Sequence, residues 1–266
     1  MSTNVEFAVQ INSKSGADVL KSTLKELSGV DNVNLFPESG ILVVKSSLPI
    51  SVLQEKIESV GHKVVIKGYG GIEQDSLQAA VAIVGGECGY ADTKLQGVVR
   101  FIQANESQCI IDGTVDGLSP GLHGLHVHEL GDISDGCNSV GDHFTIINAP
   151  HGGPENDKMN RHTGDLGNIT VDENGRTQFR FIDNVLKVWD IIGRTIVITE
   201  NADDLGKGTN QQSLIDGNSG KKLGCGIIAR SAGLFKNDKK ICACDGVSVW
   251  DERNKPLAGP GRKYRL

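Results

Sequence analysis

Six of the chain's seven histidines fall in one stretch, Gly121 to Asp165, which reads GLHGLHVHELGDISDGCNSVGDHFTIINAPHGGPENDKMNRHTGD. They are His123, His126, His128, His143, His151 and His162. His126 and His128 stand two apart, so on a strand both point to one face. His143, His151 and His162 follow at loop-like intervals, and Asp165 comes three after the last. Imidazoles gathered with a carboxylate suit zinc or copper. A chain built this way must bring a strand and a long glycine-rich loop to one place. His123 has the wrong spacing to His126 to share its face and reads as a structural hydrogen-bonder.

Composition sets the outer limits. At 266 residues the chain is long enough for two or three domains. A formal charge of −6 argues against general nucleic-acid binding. No apolar run approaches the about 20 residues that span a bilayer. The start, MSTNVEFAVQ, carries no basic segment followed by a long apolar one, so the expectation is a cytosolic chain with reduced thiols.

Residues 1–70 predict a βαββαβ domain of the ferredoxin-like kind. Strands are expected at 5–11, 32–36, 41–45 and 62–67, with amphipathic helices at 17–27 and 50–60. His62 reads as a surface residue at a strand end. The domain is similar to that of small copper-carrying proteins, where Met-x-Cys-x-x-Cys closes the first loop. Here that loop reads Ile11-Asn12-Ser13-Lys14-Ser15-Gly16, and both thiols are gone. Ser and Gly cannot supply soft ligands to Cu(I). The domain therefore reads as a structural or interaction module, joined by a linker at 71–76.

From 77 to 234 the texture is all-β. VAIVGG, LQGVVRFIQ, QCIIDGTVDG, GLHGLHVHE, GDLGNITVDENG, RTQFRFID, GRTIVITE and CGIIAR alternate with Gly, Asn and Asp turns. Eight short strands spaced so predict a Greek-key barrel or sandwich. Asn174-Gly175 is a strong hairpin signal. Two long segments interrupt the strands, the histidine stretch and residues 201–222. Cys109 reads as a buried small hydrophobe, and Cys88 as a free thiol in a loop.

GLHGLHVHE, HGGP, HTGDLGN, ADDLGKG and GNSGKKLGCG together resemble Cu/Zn superoxide dismutase. The resemblance implies zinc ligands at His143, His151, His162 and Asp165, with His143 also facing copper. It implies a Cys137–Cys225 disulfide, and an Asp203 that hydrogen-bonds His126 and His151. Copper would take His126, His128, His143 and a fourth histidine, but position 199 is Thr, a poor copper ligand. The arginine expected near copper is Lys222, which keeps the charge but not the planar fork. Efficient dismutation is therefore not expected of this chain.

The tail, 235–266, is short and irregular, and its chemistry lies in Cys242-Ala243-Cys244. In an extended segment both sulfurs project to one side and can hold Cu(I). Lys239 and Lys240 favour the thiolates. A disulfide across so short a loop is labile and oxidising. EFAVQ, RSAGLF, KKICACDG, VWDER, KPLAG and GRK, with the barrel motifs, resemble the family of copper chaperones for superoxide dismutase. That resemblance implies a protein that docks on immature Cu/Zn superoxide dismutase as a heterodimer, forms a homodimer without its client, passes Cu(I), and promotes the client's disulfide. It implies structural zinc, Cu(I) as transient cargo, and residence in cytoplasm, mitochondrial intermembrane space and nucleus. The competing readings are a dismutase with extensions and a disulfide-donating partner that carries no copper.

Overall fold

The computed structural model describes residues 1–70, 79–85, 94–237, 248 and 250. The chain divides into two compact units, Met1–Ala79 with Ser231–Leu266, and Ala80–Arg230.

The first unit has the expected βαββαβ order: β1 (Thr3–Val9), α1 (Lys14–Lys25), β2 (Val30–Phe36), β3 (Ile41–Ser46), α2 (Ile50–Ser59) and β4 (Val64–Gly70). The strands order as β2-β3-β1-β4, all antiparallel. Alternate residues of β1 (Val5, Phe7 and Val9) are buried, as are Leu20 and Leu24 of α1 and Ile50, Leu53 and Ile57 of α2. Each such side chain contributes at most about 1.5–3 kcal/mol by leaving water.

Two local details depart from expectation. Helix α1 starts at Lys14 rather than at 17, because the Ser13 hydroxyl accepts the Gly16 N–H at 3.0 Å and caps it. The residue at the first lost-thiol position thus serves the helix. His62 is not a surface residue. Only 8% exposed, it turns inward, with Nδ1 3.0 Å from the Gln10 carbonyl and Nε2 3.3 Å from that of Gly16. Two carbonyls of the first loop draw it in, and no sequence pattern reveals them.

The second unit is the barrel. Its strands are β5 (Ala79–Gly85), β6 (Gln96–Gln103), β7 (Cys109–Asp116), β8 (Gly121–His128), β9 (Asp165–Val171), β10 (Arg176–Asp183), β11 (Thr195–Thr199) and β12 (Lys222–Ile227), with β13 (Ala229–Ser231) alongside β5. The hydrogen-bonded order is β10-β7-β6-β5-β12-β11-β8-β9. The crossings between β7 and β10 and between β5 and β12 give a nearly closed Greek-key barrel. Val84, Val99, Phe101, Ile111, Leu125, Val127, Ile169, Ile196 and Ile198 fill it. Cys109 is a buried free thiol, its pKa pushed up by burial and then by Asp183.

The Asn174-Gly175 turn forms: Asp172 N–H donates to the Arg176 carbonyl at 2.9 Å. The strands it joins are nevertheless not ladder neighbours, since β9 pairs with β8 and β10 with β7. The Gly175 carbonyl instead accepts from the Gly117 N–H at 2.9 Å.

Two long loops leave one side of this frame. The first runs from 129 to 164 and is fastened to β12 by a Cys137–Cys225 disulfide, Cα–Cα 5.7 Å, spanning 88 residues. Closing so long a loop constrains the unfolded chain by about 4–5 kcal/mol on the chain-entropy model. The second loop, 200–221, is held to β9 by Asn168, whose side chain accepts the Asp203 N–H at 2.7 Å and donates to the Asp203 carbonyl at 2.8 Å.

Candidate metal centre

Strand β8, the start of β9 and the two loops bring five histidines and two aspartates together. In the first group, three Nδ1 atoms converge on one oxygen. His143, His151 and His162 stand 2.8, 3.1 and 3.3 Å from Asp165 Oδ1. The other oxygen, Oδ2, accepts the Gly152 and His162 backbone N–H groups at 3.0 and 2.8 Å. The Nδ1 atoms of His151 and His162 are buried and make no hydrogen bond. Four ligands about 2.0–2.1 Å from a tetrahedral zinc lie roughly 3.3 Å from one another. The 3.1 and 3.3 Å separations match that edge, the His143 hydrogen bond is shorter, and all four donor atoms lie within 4.8 Å of one another, so this His₃Asp set fits zinc.

The second group is His126, His128 and His143, with one nitrogen from each within 4.8 Å of the others. His126 Nε2 meets Asp203 Oδ2 at 2.9 Å, and His128 Nδ1 meets the Gly141 carbonyl at 2.9 Å. The remaining nitrogens, His126 Nδ1 and His128 Nε2, are buried without a partner. Three convergent imidazoles fit copper. Thr199 ends β11, buried, with its hydroxyl 3.4 Å from the Asn201 carbonyl. Lys222 Nζ donates at 3.2 Å to the same Gly141 carbonyl that orients His128.

Asp203 joins the two groups. Its Oδ1 lies 2.8 Å from His151 Nε2, while Oδ2 holds His126. Space for this carboxylate comes from Gly217, at φ +66°. A Cβ there would overlap Asp203 Oδ1 and lie 2.6 Å from His151 Nε2.

The charges follow from these contacts. Burial raises the pKa of Asp165, but the His143 hydrogen bond and the approach of His151 and His162 outweigh it and hold the carboxyl well below its usual range. Asp203 is lowered in the same way, burial opposing and His126 and His151 prevailing. Burial also works against charge on His151, yet Asp165 and Asp203 carry its pKa up to about 9. His143 is pushed down to about 3 by burial and then by His126. Burial, followed by His143, lowers His128 well below the usual imidazole value.

His123 belongs to neither group. Its Nδ1 lies 2.8 Å from the Thr199 carbonyl and its Nε2 2.9 Å from that of Ser119. Cys242, Cys244 and Cys88 lie outside the described residues, as does the linker at 71–76. One residue of consequence escaped sequence reasoning. Arg161 is fully buried, bonds Asp183 Oδ2 at 2.7 Å, and holds the Pro154 and His162 carbonyls at 3.2 Å each. It pins the histidine loop to β10, and nothing in KMNRHTGD marks it.

A barrel of this topology with these two histidine groups is of the copper/zinc superoxide dismutase class, and the family model described as copper/zinc superoxide dismutase (SODC) matches residues 95–228. The crystal structure of the clock protein EA4 superposes with a TM-score of 0.53 at 36% identity, covering 59% of this chain and 97% of that one. Similarity to the copper chaperone for superoxide dismutase runs much further. The protein of that name from Mus musculus is 52% identical and that from Homo sapiens 49%, each match covering 97% of this chain and 92% of the relative. The chain belongs to the family of copper chaperones for superoxide dismutase.

Proposed function

We propose that this chain is a metallochaperone, not a dismutase: it docks on immature Cu/Zn superoxide dismutase and delivers Cu(I) through Cys242 and Cys244. The observation that carries the reading is the division of the histidine stretch. One group offers four donors that fit zinc and the other three imidazoles, and the resemblance puts the fourth copper donor at 199, where this chain has Thr. Family membership along nearly the whole chain supports it.

His143, His151, His162 and Asp165 would hold zinc, which supplies a fixed tetrahedral node for the loop. Arg161 and the Cys137–Cys225 disulfide fasten that loop from its flanks. His126 and His128 are the remnant of a copper site, kept in place by Asp203 and Gly141. Lys222 keeps a positive charge near it without the forked donors of an arginine.

The barrel offers a docking surface. Ile83, Leu130 and Ile227 are exposed at 51, 47 and 40%. They stand on neighbouring backbone: the Ile83 carbonyl lies against Gly226, Gly131 lies against the Gly193 carbonyl, and the Gly193 N–H bonds the Ile228 carbonyl. Close apolar contact there suits a like-shaped barrel, either the client or a second copy of this chain. The tail thiolates would release Cu(I) by ligand exchange. In its oxidised form, the tail pair would exchange with the client's two thiols, leaving the client oxidised and the tail reduced. The setting proposed is cytoplasm, with mitochondrial intermembrane space and nucleus. Among the described residues no helix is long and apolar enough to cross a membrane.

The test is reconstitution. This protein, loaded with Cu(I), is mixed with copper-free, disulfide-reduced superoxide dismutase, and client activity and client disulfide are followed together. Both should rise, and Cys242→Ser/Cys244→Ser should abolish the rise. Full activation by the double variant would overturn the reading. The intact His126, His128 and His143 favour a dismutase as the second reading, and high turnover of the copper-loaded protein alone would install it.

A further inference from the structure

The first domain has lost its metal thiols but carries an unusual carboxylate. Val5, Phe7 and Val9 of β1 face the core, so Glu6 points to the opposite face of the sheet. A glutamate on an outer face is ordinarily solvated, yet Glu6 is 1% exposed. Part of its cover is the chain after the barrel. The Phe235 N–H donates to Glu6 Oε2 at 2.5 Å, and Lys67 Nζ stands 3.6 Å from Oε1.

The neighbouring strand is cut to fit. Gly68, directly opposite Glu6 in the β1–β4 ladder, lies under the Gly233 carbonyl, where any Cβ would overlap it. Gly70, two residues on and on the same face, leaves room for Leu234, whose side chain lies 3.5 Å from where a Cβ would stand. Residues 233–236 form a turn closed by the Lys236 N–H on the Gly233 carbonyl at 3.3 Å. Its third residue, Phe235, has φ +58°. That conformation favours Gly or Asn and costs another residue about 1–2 kcal/mol. A non-glycine residue stays there only where its surroundings hold it.

We propose that the first domain is the dock for the root of the cysteine-bearing tail, with Glu6 as the positioning residue that fixes it. Without the dock, the chain from the last barrel residue, Arg230, to Cys242 is about 12 residues. With the strap seated to Asn237 it is about five, a reach of roughly 18 Å at full extension. Effective concentration falls roughly as the −3/2 power of tether length, so the dock raises that of the thiols around their anchor about fourfold. The docking half stands on the contacts alone; the consequence for delivery rests on the function proposed above.

The experiment uses the full chain with Glu6→Ala, Glu6→Gln and Phe235→Pro. Hydrogen exchange should find the Phe235 amide protected in the parent and in Glu6→Gln, which keeps a carbonyl acceptor, and unprotected in Glu6→Ala. Client activation should slow about fourfold in Glu6→Ala and Phe235→Pro, recover in Glu6→Gln, and leave tail Cu(I) affinity unchanged in all three. Phe235→Pro lies in the strap, so protection of β1 amides should persist and exclude unfolding of the domain. A Phe235 amide that exchanges freely in the parent, or equally in parent and Glu6→Ala, overturns the dock. Lost protection with undiminished activation overturns its role in delivery. A parent protein that activates no client, with Phe235 still protected, overturns the delivery reading and leaves the dock standing.

Discussion

Two groups of histidines share His143 and one side of the barrel, yet only one includes a carboxylate. The first has a carboxylate at its centre: Asp165 meets three imidazoles with one oxygen and two backbone N–H groups with the other. The second has no anionic member. Two of its histidines, His126 and His128, are oriented through one nitrogen each, by Asp203 and Gly141, and their other nitrogens are buried without partners. A dication is held firmly where charge and donor number are both supplied, which is true of the first group and not of the second. Orientation and donor set are thus separable: His126 and His128 keep outer support in a group that has three imidazoles and no carboxylate.

The harshest way to break this comparison is Asp165→Ala. Zinc should fall from about one per chain to nearly none after dialysis. Stability should drop by about 3–5 kcal/mol, as when one partner of a buried charged cluster is removed. Metal analysis and urea unfolding check it, and a full zinc complement in the variant would abolish the distinction. Next in size, Asp203→Asn removes the carboxylate that orients His151 and His126. Zinc affinity measured against a chelator should weaken about 10–100-fold, the usual consequence of losing an outer-shell partner.

Protons give a smaller handle. The His151 pKa is raised to about 9 in the metal-free protein, so at neutral pH its ring is charged and zinc must displace a proton. The sign is therefore fixed: affinity weakens as pH falls, about tenfold per unit below pH 9 for one proton released. Calorimetry in two buffers of different ionisation enthalpy should count that proton at pH 7, and a pH-independent affinity would remove His151 from the set. The mildest change to the zinc group is Thr199→His. Fitting the larger ring should cost about 1–3 kcal/mol and leave zinc content alone. Electron paramagnetic resonance of the variant with Cu(II) should show a four-nitrogen centre absent from the parent. Identical spectra would mean that something other than the missing imidazole separates the two groups.

Much of this was legible in the chain itself. The βαββαβ order followed from periodicity, because the core-facing side of each element repeats its apolar residues. The boundary of α1 did not, because the Ser13 cap is a hydrogen bond and not a hydrophobic pattern. Asn174-Gly175 announced its turn correctly. The strands' partners were settled instead by barrel closure, which gave β10 to β7 and β9 to β8. His62, Arg161 and Glu6 were illegible because each depends on a partner distant in the chain: 52 residues away for His62–Gln10, 22 for Arg161–Asp183 and 229 for Glu6–Phe235.

The sequence alone determined the donors: which residues are imidazole, carboxylate or thiol, their order, and the absence of a histidine at 199. Those are covalent facts, and the chemistry of zinc and copper turns them directly into expectation. Only the tertiary structure decided how the donors meet. Asp203 spans two groups because the second loop returns it to His126, 77 residues away, and to His151, 52 away. Glu6 became a dock because the chain after β13 comes back across β4. Hydrogen bonds act over about 3 Å, so their partners are fixed by ladder register and loop closure, and neither is written in local pattern.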